Sequence, residues 1–212
     1  MASADSRAAE YLAEVVTKYP IKVDRDKFRI FLFGPFLEQN EEVPEPEVGA
    51  TPFIQAKFLR YYVAKSLRDS GWIVDFGENK EILEMWTSVH GPVDVGKMEF
   101  DHASVACGAI VILPSSPGSF CEMGLFSSSD QISKKTLAVV HAKHKNDESF
   151  FRKGLVQVFR SQGGTCEYEH YGDKEAVLNA ISEFVQARLY SGYWRDQAIA
   201  TGERRKHEKG AE

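Results

Sequence analysis

A chain of 212 residues, 43% apolar and 27% charged, is long enough to bury one full hydrophobic core and short of two. Its formal net charge of −5 argues against a protein whose main surface is a groove for a nucleic-acid backbone, where Lys and Arg must neutralise phosphates. No run approaches the roughly 20 apolar residues of a membrane-spanning helix, residues 1–7 do not lead into a signal peptide's apolar stretch, and three cysteines without a Cys-x-x-Cys pair fit a reducing compartment, so a cytoplasmic protein with no membrane partner is expected.

In chain order, Leu12, Val15, Val16 and Tyr19 at helical spacing before Pro20 predict a short helical extension over 1–20. The main domain is expected over 21–192. Phe28 to Phe33 reads as a buried strand ending in the turn Gly34-Pro35. Five glutamates and two prolines between Glu38 and Gly49 predict an exposed acidic loop. A helix follows from Thr51-Pro52 to Ser70-Gly71, with Ala56, Leu59, Val63 and Leu67 on one face. Trp72 to Phe76 is a second strand. The stretch from Glu78 to Asp94 mixes a helical turn around Ile82 to Trp86 with loop residues His90-Gly91-Pro92.

A helix from Lys97 to Ala106 then leads into the uninterrupted apolar strand Ala109 to Leu113, turned sharply by Pro114 to Gly118. Next come a helix from Ser119 to Ser127, a strand Thr136 to His141, a helix Ser149 to Phe159, a strand Cys166 to Tyr171 and a helix opened by Asp173. The charged segment 193–212 is expected to be a frayed tail. Alternating strands and helices imply an α/β fold: one open parallel sheet of about five strands with helices on both faces, flavodoxin- or Rossmann-like.

Ligands of such sheets bind beyond the carboxyl ends of the strands. Two segments reach that edge with unusual chemistry. The first is Phe33-Gly34-Pro35, where a turn without a large side chain lets a ligand approach. The second is Pro114-Ser115-Ser116-Pro117-Gly118-Ser119, whose N–H groups and hydroxyls are expected to converge on a phosphate or ribose. Glu122 follows at the rim, where a carboxylate can attack an anomeric carbon or stabilise an oxocarbenium-like charge. A rival reading makes Ser119 and Glu122 a capping box that only satisfies the helix start. Cys121 lacks an obvious partner base and is read as a buried small hydrophobe. Arg60 is read as a solvated helix arginine rather than a phosphate ligand, and no histidine spacing supports a metal.

The stretch from Phe100 and Asp101 through Ala109-Ile-Val-Ile-Leu-Pro-Ser-Ser-Pro-Gly-Ser-Phe-Cys-Glu122-Met-Gly-Leu-Phe126 resembles the core of the nucleoside 2-deoxyribosyltransferase-like superfamily, and more closely the effector proteins associated with bacterial retrons. Arg29-Ile-Phe-Leu-Phe-Gly-Pro35 is similar to the first-strand motif of both groups, and Ser149-Phe-Phe-Arg-Lys-Gly154 to a later stretch of the effectors. The resemblance implies that Glu122 is the nucleophile or transition-state carboxylate and that Asp101 hydrogen-bonds or protonates the departing base. Two positions depart from the transferase pattern: Ser116 stands where an aspartate is usual, and Phe31 where many have tyrosine. These departures favour hydrolysis over base exchange.

The expected function is therefore an N-glycosidase acting on a nucleotide or nucleoside, NAD-type cofactors included, without cofactor or metal. The resemblance further implies a toxic effector of antiphage defence, restrained by a reverse transcriptase with its attached DNA or by a self-assembled filament, and a homo-oligomer, since active sites of the superfamily are often completed by a neighbouring subunit. The alternatives are a module that senses nucleotides without reacting, and a phosphoribohydrolase, which the absence of a Gly-Gly-x-Gly-Thr loop counts against.

Overall fold

The computed structural model describes residues 27–38, 41–91 and 94–209, with the backbone alone for residues 90 and 193–209. The helix expected over residues 12–19 lies outside the described residues. Five strands, β1 (Arg29–Phe33), β2 (Ile73–Asp75), β3 (Cys107–Ile112), β4 (Thr136–His141) and β5 (Thr165–Glu169), form one all-parallel sheet in the order β2-β1-β3-β4-β5. The α/β architecture with helices on both faces is as expected.

Strand periodicity divides the core in two, because successive side chains point to opposite faces. Ile30 and Leu32 of β1, Ala109 and Val111 of β3 and Leu137 and Val139 of β4 pack with α1 (Pro52–Asp69) and α7 (Lys174–Lys209). Phe31, Phe33, Ile110, Ile112, Ala138 and Val140 pack on the other face with α3 (Val95–Val105), α4 (Pro117–Phe126), α5 (Asp130–Ser133) and α6 (Gln157–Ser161). The stripe read for α1 is the buried one, and Thr51 caps it by accepting from the Ile54 N–H.

Three elements differ from their sequence reading. Residues 80–90 form a full helix, α2 (Lys80–His90), capped by Asn79 and ended by Gly91 at φ 78°. Ile82, Met85, Trp86 and Val89 recur at helical spacing, yet of these Met85 and Val89 are exposed, and the loop residues His90-Gly91-Pro92 keep the sequence reading to a single turn. The helix expected over 149–159 is a wide π-helical turn, Phe151–Val156, continued by α6. The last helix does not stop at the sheet: α7 continues through Trp194 as far as Lys209.

Candidate active site

In the order β2-β1-β3-β4-β5 the connections leave β1 in opposite directions, and the crevice beyond the ends of β1 and β3 is the switch point where ligands bind in this topology. The turn after β1, the loop after β3 and the first turns of α4 all lie at that edge.

The loop after β3 is built around Ser119. Ser116 is the N-cap of α4 and accepts from the Ser119 N–H at 3.2 Å. Ser119, wholly buried, accepts from the Ser115 and Ser116 N–H groups at 3.0 and 2.9 Å and donates to the Ser116 carbonyl at 2.9 Å. Pro117 occupies the first helical position, where its missing N–H costs nothing. The capping box is thus Ser116 with Ser119, and the rival reading that paired Ser119 with Glu122 falls, because α4 starts two residues earlier than its sequence reading. The expected convergence of N–H groups on a ligand is corrected too: two of them converge on Ser119 Oγ. Ser115 and Ser116 remain half-buried at the surface of the loop, and Gly118 is exposed.

Glu122, the sixth residue of α4, is therefore free of the capping role. Its Oε2 is buried without a hydrogen-bond partner. Burial first, then the charge of Glu99, pushes its carboxyl up to about 8, against the opposing pull of Arg60. Glu99 lies on α3, its carboxylate pressed on the backbone of Gly77 so closely that a methyl group there would collide with it. Burial and the charge of Glu78 push Glu99 up to about 7.

Arg60 underlies this group. It is 1% exposed, so the solvated reading is corrected. Its guanidinium donates to the carbonyls of Leu32 at 2.8 Å and Pro35 at 2.8 Å, and to both oxygens of Glu78 at 2.5 and 2.7 Å. Its aliphatic stem fills the space beside Gly34, where a Cβ would stand 3.2 Å from Arg60 Cδ. Gly34 and Pro35 are buried, and the Phe33 ring is 1% exposed against Phe31 and Phe126. Phe33 thus serves the site by anchoring the turn. The aromatic that faces out is Phe36, 62% exposed, which the sequence reading passed over.

The structure does not bring Asp101 to this group. It lies two residues after Glu99 on α3, and residues two apart do not share a helix face. Its carboxylate forms an i,i+4 ion pair with Lys97. Glu99, which stands against Gly77 and whose charge acts on Glu122, carried no motif; only its place two residues before Asp101 on a helix marked it.

One trio among the described residues has metal-binding geometry: Asp75, His102 and Cys107, all buried, with ligand atoms within 4.8 Å of one another. Asp75 is already engaged by Arg29 at 3.1 and 3.2 Å and by His102 Nε2 at 3.0 Å. Against the burial that alone would raise it, these bonds hold its carboxyl below the usual range. Asp75 is thus spent on Arg29 and His102, and burial pushes the neighbouring Cys107 thiol up to about 12, so the trio reads as buried polar packing. All three cysteines are free, and the buried reading of Cys121 is corrected: it is exposed on α4, while Cys107 and Cys166 are buried. No described helix is long and apolar enough to cross a membrane.

A family model described as "STM3845 retron effector protein" matches residues 59–199, more than half of the chain. The chain is also 38% identical over 55 residues to an Escherichia coli protein named "Retron Ec86 putative ribosyltransferase/DNA-binding protein"; the match covers 26% of this chain and 18% of that protein.

Proposed function

The chain belongs to the STM3845 retron effector family, and from that footing we propose that it hydrolyses the N-glycosidic bond of a nucleoside or nucleotide, with Glu122 as the carboxylate that meets the anomeric carbon. The observation that carries this reading is the Glu122 carboxyl itself: buried, without a partner on Oε2, and placed beyond the end of β3 at the switch point of the sheet. A protein does not hold an unpaired carboxyl in a cleft for stability, since burying a polar group without a partner costs about 1–3 kcal/mol. The ribosyltransferase in the relative's name and the likeness to the deoxyribosyltransferase-like superfamily support the same chemistry.

In the reaction, the bond between C1′ and the base nitrogen breaks and its electron pair leaves with the base. The ionised Glu122 stabilises the positive charge on the sugar, or bonds to C1′ and is displaced by water. Water supplies hydroxide to C1′ and a proton to balance the one taken by the base, giving free base and free sugar. Ser115, Ser116 and Gly118 lie where the sugar or its phosphate would rest, and exposed Phe36 offers a stacking face to the base. Three carboxylates surround a single arginine whose charge is spent on Glu78, so a phosphate is better placed at the serine loop than beside Glu122. As an effector, the protein would act in the cytoplasm against phage-infected cells, as a homo-oligomer restrained by its reverse transcriptase and attached DNA.

The test is to incubate the purified chain with nucleosides, nucleotides and NAD and to measure released base by chromatography. Wild type should release base, and Glu122→Gln should lower the rate on the order of 10³-fold or more with the fold intact. Ligands that bind tightly and return unchanged would instead make it a sensing module.

A further inference from the structure

Cleaving a neutral base from a sugar takes two groups: one that tolerates positive charge at C1′ and one that delivers a proton to the base. We propose that Glu99, not Asp101, delivers that proton, working with Glu122 as one unit; this rests on the base-cleavage reading above.

The geometry separates the two carboxyls of α3. Glu99 and Asp101 are about 200° apart around the helix at 3.6 residues per turn, so they cannot both face α4. Glu99 faces Gly77 and the Glu122 side, and Asp101 is engaged with Lys97. The charges that act on Glu99 are Glu78 on the loop after β2 and Arg60 on α1, and Glu99 acts in turn on Glu122 of α4. Arg60 is tied to Glu78 and to the backbone carbonyls of Leu32, Gly34 and Pro35, and its hydrogen bonds go to neither Glu99 nor Glu122. Two neighbouring buried carboxyls sharing this space titrate as a pair, and the singly protonated pair is its working form.

In the free protein burial raises both carboxyls, so the pair keeps a proton between them. Growing positive charge at C1′ favours ionised Glu122 and leaves that proton on Glu99. The proton then passes from the Glu99 carboxyl to a ring nitrogen of the base as the glycosidic electron pair arrives there. The water that attacks C1′ returns a proton to Glu99. Gly77, by leaving no room for a side chain, fixes where the Glu99 carboxyl stands.

The test compares Glu99→Gln, Glu99→Asp, Asp101→Asn and Glu122→Gln on two leaving groups, a neutral purine and the already cationic nicotinamide of NAD, across pH. A cationic base needs no proton to depart. Glu99→Gln should slow purine release about 10²–10⁴-fold and NAD cleavage less than about tenfold, while Glu99→Asp recovers part of the loss and Asp101→Asn stays within a few-fold of wild type. The bell-shaped pH profile for purine should lose its alkaline limb in Glu99→Gln. Carboxyl carbon-13 NMR reads the pair without turnover: Glu122 should titrate at lower pH in Glu99→Gln and unchanged in Asp101→Asn. An active wild type whose purine rate collapses in Asp101→Asn and survives in Glu99→Gln overturns the role of Glu99 alone. Equal losses on both leaving groups do the same, because they mark a structural role. No base released by wild type from any substrate defeats the cleavage reading, and the role of Glu99 with it.

Discussion

Glu122 stores a pH-dependent cost in the folded state. Its carboxyl is raised by burial and by Glu99 to about 8, whereas in the unfolded chain it ionises near 4.5. The folded state therefore binds more protons between those values, so the contribution of this residue to stability is intact at pH 4 and is lost as pH rises through about 8. Glu122→Gln should then raise the thermal midpoint at pH 8.5 and change it little at pH 4.5. For a chain of this size each kcal/mol recovered is about 2–4 °C in a melting scan; an unchanged midpoint at pH 8.5 would mean the carboxyl is not strained. Glu122 was legible in the sequence because an unusual run, Ser115 to Ser119, announced it. Glu99 was not, since a glutamate on an amphipathic helix looks like any solvated one until its partner across the cleft is known. Arg60 was misread for the same reason: only the tertiary fold places the end of β1 and Glu78 around it.

At the scale of elements, the start of α4 depends on one hydroxyl. Ser119→Ala removes the acceptor of two N–H groups and half of the capping box, which should cost about 1–2 kcal/mol and loosen the loop that would hold the sugar. Substrate affinity should fall with stability, and Ser119→Thr, which keeps the hydroxyl, should recover part of both in a binding titration and a denaturant melt. Gly77→Ala should leave β2 in place but push the Glu99 carboxyl aside, lowering turnover more than stability. Strands and the long helices with continuous apolar stripes were readable from periodicity alone. The short helix α2 was read only as a turn, because its loop-like end at His90-Gly91-Pro92 masked its length, and the π-helical turn at Phe151–Val156 was read as an ordinary helix, because about one extra residue per turn leaves no mark in so short an apolar pattern.

For the whole molecule, the strand order brings residues from α1, the loop after β2, α3 and α4 to one edge, although Arg60 and Glu122 are far apart in the chain. The five-strand parallel sheet was legible because alternating strands and helices leave few other topologies, whereas the meeting of four segments at its edge is a product of that topology. If the effector reading holds, cells expressing wild type without its restraining partner should stop growing and cells expressing Glu122→Gln should grow normally; equal growth would remove toxicity from the account. The burial of Arg60 has a consequence for ionic strength. Salt screens charges at the surface over about 10 Å at 0.1 M and reaches those beneath it far less. The Arg60–Glu78 ion pair should accordingly persist, and the Glu99 and Glu122 carboxyls beside it keep their raised titration, when sodium chloride is raised several-fold, while any charged partner held on the outside is released.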